Sequence, residues 1–184
     1  MEEVRAGRRP FVPLDRLHFE NLQATLSQFG LVHQQFAEAD LRELNRAWHR
    51  LDPWPDAVAG LRRIKSKRII APLSNGNLSL LLNMAKRASL PWDAILGAEV
   101  VAAYKPAPEA YLRTASLLDL PPGEIVMVAA HNGDLAAARA CGFQTAFVPR
   151  PTEHGLRQAT DLNSEQDWDF IAPDFEALAL KLAG

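Results

Sequence analysis

The chain has 184 residues, 48% hydrophobic and 23% charged, enough to bury one good core or a core with a small accessory lobe. Its formal charge of -2, with both signs interspersed, gives no field that would hold a polyanion, so neither nucleic acid nor an anionic membrane is an expected partner. Cys141, the single cysteine, excludes an internal disulfide framework and fits a reducing compartment; no apolar run reaches the length of a membrane span and the N-terminus lacks a signal-like apolar segment, so the expected location is cytoplasmic.

In chain order, Arg5, Arg8 and Arg9 form a short basic run that reads as a solvated terminal arm. Leu14, Leu17, Leu22, Leu26 and Phe29 then fall mostly at helical spacing and stop at Gly30, while Leu41, Leu44, Trp48 and Leu51 make a second stripe. Residues 1–55 are therefore expected to form a helical lobe. The organisation changes at Pro53-Trp54-Pro55. A third helix carrying Val58, Leu61 and Ile64 is followed by strand-like runs at Arg68 to Leu73, Ile125 to Val128 and Gln144 to Val148. Helices are expected between them over Leu78 to Arg87, Pro108 to Leu118 and Leu135 to Cys141. Pro149 to Asp167 reads as a surface loop, and Asp174 as the cap of a last helix ending near Leu182. This alternation predicts, for residues 56–184, an α/β fold with a parallel sheet covered on both faces. Trp48, Trp54, Trp92 and Trp168 are spread over all these elements and are expected to pack rather than to form a cofactor cage, and Cys141 reads as a small packed thiol.

Polar clusters sit where the strands end, which is where parallel sheets bind ligands. Leu73-Ser74-Asn75-Gly76 follows one strand, Val128-Ala129-Ala130-His131-Asn132-Gly133-Asp134 follows another, and Tyr104-Lys105-Pro106 precedes a helix. Each has a plain structural reading: a turn at Ser74 to Gly76, a solvated lysine at Lys105, a helix cap at Asp134, a satisfied histidine at His131. Together, in order and in strand context, they are far more specific. With their extensions through Glu109-Ala110-Tyr111 and Leu135 to Arg139, they resemble the second, third and fourth motifs of the haloacid dehalogenase superfamily, most closely its 2-haloacid dehalogenase branch.

The resemblance implies a Rossmann-like parallel sheet core over residues 56–184, with residues 1–55 as part of a helical cap. It implies hydrolysis of short 2-haloalkanoic acids through an aspartyl ester, with no cofactor and no metal, and a possible homodimer. Carried over by position, Ser74 and Asn75 match residues that hold the substrate carboxylate and Tyr111 a tyrosine near it. Lys105 matches the lysine that keeps the nucleophile ionised, and Asp134 the carboxylate that holds that lysine and positions water. The chain departs from the family in two ways. Ala129-Ala130-His131 stands where Ser-Ser-Asn is common in this branch, so His131 is a candidate for the water-activating role. The first motif, an Asp nucleophile on an apolar strand followed by a Gly-Thr turn, and the cap arginine that receives the halide are not found in the matched segment, and Asp15, the nearest early carboxylate, lies in a helical stripe.

The first central strand is thus expected to be missing from between the strands that precede Ser74 and Ala129, and the chain is expected to be inactive alone. Two alternatives stand beside this reading. A truncated or pseudoenzyme form would only bind or associate. A phosphatase-branch hydrolase would use Mg²⁺, but position 130, where that branch supplies a second aspartate, is Ala130.

Overall fold

The computed structural model describes residues 1–31 and 35–182. Its first half is helical: α1 (Glu2–Arg5), α2 (Leu14–Gln28) and α3 (Glu38–Asn45), the last continued by a 3-10 turn at Arg46–Arg50. The α2 stripe ends as expected, with Gly30 taking a positive φ of 71° just after the helix. The helical stripe at Leu41 to Leu51 splits into α3 and the 3-10 turn, which leaves Trp48 and Leu51 about half exposed.

The rest alternates: α4 (Ala57–Lys65), β1 (Leu73–Ser74), α5 (Leu78–Ala88), β2 (Leu96–Gly97), α6 (Ala98–Val101), α7 (Pro108–Leu117), β3 (Val126–Ala129), α8 (Asn132–Ala140), β4 (Gln144–Phe147), β5 (Phe170–Ile171) and α9 (Phe175–Leu182). All pairings are parallel, β1 with β2, and β3 with β4 with β5. The β3–β4–β5 sheet has a core on each face, because side chains alternate across a strand. Met127 and Phe147 pack with Tyr111, Leu135 and Trp168 on the side of α7 and α8, whereas Val128, Ala146 and Val148 pack with Leu61, Ile64 and Leu178 on the side of α4 and α9. The fold is α/β with a parallel, Rossmann-like arrangement beside a helical cap.

Among the described residues no strand joins β1 to β3, so the sheet is in two pieces. The apolar run at Arg68 to Leu73 is expected as a full strand, yet only Leu73 and Ser74 pair. Pro72 has no N–H to give, and Ile70 spends its amide on Asp93 Oδ2 and its carbonyl on the Asp93 amide, at 2.9 Å each. Between the two pieces runs a cavity of about 610 Å³. Ile69 to Ser74 line one side and Ile125 to Ala130 the other, with Ile64 and Phe175 on one face and Thr114 and Leu118 on the opposite face. It has the bounds of a buried strand position.

Two glycines are fixed by close approach. A Cβ on Gly60 would lie 2.5 Å from that of Phe175, where α4 meets α9, and one on Gly97 would lie 2.5 Å from the Gly76 carbonyl oxygen.

The basic run is largely exposed, as expected of a solvated arm, but it is tied down at several points. Val4 packs against the cluster of Val12, Leu17, Ala98 and Tyr104; Arg8 pairs with Glu3 at 2.6 Å and Arg9 with Glu20 at 2.7 Å. Arg5 Nη2 donates to the Lys105 carbonyl. Val4, the Arg9–Glu20 pair and the Arg5 bond to Lys105 tie the segment to the rest of the fold, whereas Arg8 and Glu3 pair within it. Of the tryptophans, Trp168 is buried in the core on one face and Trp92 packs, partly buried, against the core on the other, whereas Trp48 stays half exposed and Trp54 lies partly exposed under the Arg150 guanidinium at 5.0 Å.

Candidate active site

The cavity ends in a polar cluster at the C-terminal ends of β1 and β3. Ser74, Lys105, His131 and Asp134 all line it. Asp134 sits in the first turn of α8, which begins at Asn132, three residues earlier than the apolar pattern suggests. It therefore does not cap that helix. Its carboxylate accepts two short bonds instead, from Lys105 Nζ to Oδ2 at 2.5 Å and from the Tyr111 hydroxyl to Oδ1 at 2.5 Å. The Lys105 and Asp134 side chains are only 16% and 14% exposed, so the pair is shielded from solvent screening.

Tyr111 is fully buried, at 0% exposure, and stands behind Asp134 rather than on the cavity wall. Burial pushes its phenol well above the ordinary range, and donation to Asp134 raises it further, so it remains a neutral donor.

Asn75 works through the backbone. Its Oδ1 accepts from the Lys105 amide at 2.8 Å and its Nδ2 donates to the Lys105 carbonyl at 3.4 Å, so the Ser-Asn-Gly turn grips the chain at the cis Lys105-Pro106 bond. Ser74 Oγ accepts from the Gly76 amide at 3.0 Å, which aligns the hydroxyl and leaves its proton to donate elsewhere. The Tyr104 hydroxyl donates to the Val12 carbonyl at 2.6 Å and ties the segment that bears Lys105 to the chain just before α2.

His131 is turned toward the following loop, with Nε2 3.0 Å from Glu153 Oε2. The next residue, Asn132, is a positioning group that sequence reasoning passes over. Its Oδ1 accepts from Trp168 Nε1 and the Glu165 amide, and its Nδ2 donates to Asp161 Oδ1, at 2.9–3.0 Å, fastening the loop after β4 to the end of β3. It lies inside the quoted motif, but nothing local marks an asparagine as 2% exposed. Arg5 was likewise visible only as charge.

Asp15 is committed elsewhere. Its carboxylate is held by His49 Nε2 at 3.0 Å and Asn77 Nδ2 at 2.9 Å, while Asn83 meets the other His49 nitrogen at 2.9 Å. This network, buried at His49 and Asn77, joins α2 to the turn after β1. Asp15 does not line the cavity, whose only lining carboxylates among the described residues are Asp134 and, at the far end, Glu124. Ala130 offers no side-chain oxygen, so Asp134 is the single carboxylate that the turn after β3 presents, fewer hard oxygen ligands than Mg²⁺ takes.

No helix among the described residues is long and apolar enough to cross a membrane. A turn of small polar residues after β1, a lysine just before a cis bond and an aspartate in the first turn after β3 are thus brought to one sheet end. The chain is 31% identical over 140 residues to the (S)-2-haloacid dehalogenase of Xanthobacter autotrophicus, an alignment covering 74% of the chain and 53% of that enzyme, so the chain spans about half of the relative's length. Its structure superposes with a TM-score of 0.98 on the defluorinating L-2-haloacid dehalogenase Rha0230, at 52% identity, over 100% of the chain and 75% of that protein. The Xanthobacter autotrophicus L-2-haloacid dehalogenase with chloropropionic acid covalently bound matches with a TM-score of 0.81 at 25% identity, over 99% of the chain and 80% of that protein. A family model described as haloacid dehalogenase-like hydrolase matches residues 2–142, and with the site geometry above this places the chain in the haloacid dehalogenase-like hydrolases.

Proposed function

We propose that the chain is the body of a hydrolytic dehalogenase of short 2-haloalkanoic acids, with residues 1–55 as part of its cap, and that Ser74, Asn75, Lys105, Tyr111 and Asp134 form the part of the site that surrounds the nucleophile, with neither the nucleophile nor a halide-receiving arginine among them. The observation that carries this is the Lys105–Asp134–Tyr111 cluster facing a strand-shaped cavity that no described strand fills. The reaction needs a carboxylate that attacks C2, expels halide and forms an ester, which water then cleaves. An apolar strand ending in Asp, seated between β1 and β3, would put that carboxylate beside Lys105.

In this reading Lys105 holds the nucleophile ionised, Ser74 donates to the substrate carboxylate, and Asn75 fixes Lys105. Asp134 holds the Lys105 ammonium and orients water. Tyr111 acts through Asp134 as a positioning residue. The relative with chloropropionic acid covalently bound supports a covalent route. Ala130 weighs against the metal-dependent phosphatase alternative.

The test compares the 184-residue chain with the same chain fused to an N-terminal strand bearing Asp and a Gly-Thr turn. The unextended chain releases no measurable halide from 2-chloro, 2-bromo or 2-fluoro acids; the fusion does, and Lys105→Ala in the fusion lowers the rate on the order of 10²-fold or more. Halide release by the unextended chain that survives Asp134→Ala would overturn the reading. A fusion that hydrolyses a phosphomonoester with Mg²⁺ and leaves haloacids untouched would move the chain to the phosphatase alternative.

A further inference from the structure

His131 reaches a turn in the loop after β4, where it meets two more metal-competent side chains. His131, Glu153 and His154 each present one ligand atom, and the three atoms lie within 4.8 Å of one another. Glu153 Oε2 is 3.0 Å from His131 Nε2, and the two imidazoles stack at 16° with centroids 6.3 Å apart. Nothing in the dehalogenation reading uses Glu153 or His154.

The scaffold under this cluster is held from both sides. On the strand side, Asn132 is locked to Asp161, Glu165 and Trp168 directly after His131. On the loop side, the Glu153 amide donates to the Arg150 carbonyl at 3.1 Å, the His154 amide to Gln158 Oε1 at 3.0 Å, and Gly155 takes a positive φ of 84° that closes the turn. The backbone thus presents adjacent Glu153 and His154 toward the His131 ring.

We propose that His131, Glu153 and His154 form a binding site for a late first-row divalent cation of the zinc class at the mouth of the cavity. Two imidazoles and one carboxylate are the donor set that such ions take, whereas Mg²⁺ and Ca²⁺ require more oxygen ligands than the single carboxylate of Glu153 provides. Ligand atoms around tetrahedral zinc are about 3.3 Å apart, as bonds of about 2.0–2.1 Å dictate, so side-chain adjustments of roughly 1 Å close the cluster on an ion. Because the side chains of His131 and Glu153 are 45% and 33% exposed, the ion enters directly from solvent. His131 also lines the cavity, so a bound cation ties the loop to the end of β3 and takes the imidazole lone pair that a base would need.

The test uses the full, untagged chain and Zn²⁺ itself, with affinity read by competition against a chromophoric chelator. One equivalent binds; His154→Ala and Glu153→Ala each weaken binding at least roughly tenfold, Cys141→Ser leaves it unchanged, and millimolar Mg²⁺ does not displace it. On the unmutated protein, ¹⁵N spectra of the five histidines give a readout independent of any variant. The His131 and His154 ring nitrogens shift on adding Zn²⁺ while those of buried His49 do not. Failure to bind an equivalent, binding that persists in the His154→Ala/Glu153→Ala double variant, or shifts confined to other histidines would each overturn the proposal. The site does not depend on the dehalogenase reading, and its failure would leave that reading intact.

Discussion

Asp134 is the residue on which the site turns, because a carboxylate that is 14% exposed must be satisfied by what surrounds it. Lys105 supplies the charge and Tyr111 a neutral donor, and neither substitutes for the other. Tyr111→Phe keeps the ring packed edge-on against Phe143 but removes one of the two short bonds. We expect it to lower stability by about 2 kcal/mol, the usual size of a hydrogen bond to a charged group, as read from urea unfolding. The pH dependence gives a second readout. Burial raises both phenols, Tyr104 to about 12 and Tyr111 strongly upward, so both are more easily ionised in the unfolded chain. Their contribution is complete below the ordinary tyrosine value near pH 10 and declines as pH rises above it toward the folded-state values. Unfolding should therefore become steeply easier above about pH 10, with a shallower slope in Tyr111→Phe; equal slopes would refute the assignment.

At the scale of elements, the sheet is pinned by the clasp of α4 and α9 on one face. Gly60 lets the helices touch, and Asp56 binds both Arg150, at 2.8 Å, and the Phe175 amide at the start of α9, at 2.7 Å. Burial pushes the Asp56 carboxyl up, but the Arg150 bond and the Phe175 amide together outweigh it and hold the carboxyl below its usual range. A depressed folded-state value means that the stabilisation is present above the unfolded carboxylate value near pH 4 and is lost as pH falls through the folded one. Asp56→Asn should cost about 3 kcal/mol at pH 7, because it leaves the Arg150 charge largely buried and without its partner. The gap to the parent chain should narrow below about pH 4, and a gap independent of pH would show that packing alone holds the clasp. Much of this level was legible in the sequence. The periodicities located α2, α4, α5, α7 and α9 and the runs of β3 and β4 closely, and Asp174 caps α9 as expected, accepting from the Ala177 amide at 2.7 Å. The short strands β2 and β5 escaped because two residues carry no period, and the Arg68 to Leu73 run is apolar enough for a strand but lacks the neighbour that would make it one. Side-chain destinations were the illegible part. The motif named Asn75, Tyr111 and His131, but only three-dimensional structure shows that Asn75 grips the backbone, that Tyr111 lies behind Asp134 and that His131 turns to Glu153.

For the whole molecule the deciding feature is the cavity between β1 and β3, which exposes two strand edges inside an otherwise parallel arrangement. Ile69 is 73% exposed there, an unusual state for an isoleucine in an apolar run of an α/β core. An entering strand would satisfy main-chain groups on both edges and cover the apolar walls from Leu61 to Phe175. Five or six apolar residues bury about 400 Å², on the order of 10 kcal/mol at the usual coefficient before ordering costs, comparable with the stability of a domain. The chain without that strand should accordingly be marginal and should gain stability from one supplied in trans. A solubilised peptide of six apolar residues ending in Asp-Gly-Thr, held at about 100 times its dissociation constant, should add about 2.7 kcal/mol to unfolding and raise Tm by several degrees. A proline at the third position removes a ladder donor and fixes φ, so the same peptide carrying it should fail. Equal stabilisation by the proline peptide would mean that the cavity takes up apolar material without strand pairing, and no stabilisation by either would mean that the nucleophile reaches Lys105 by another route.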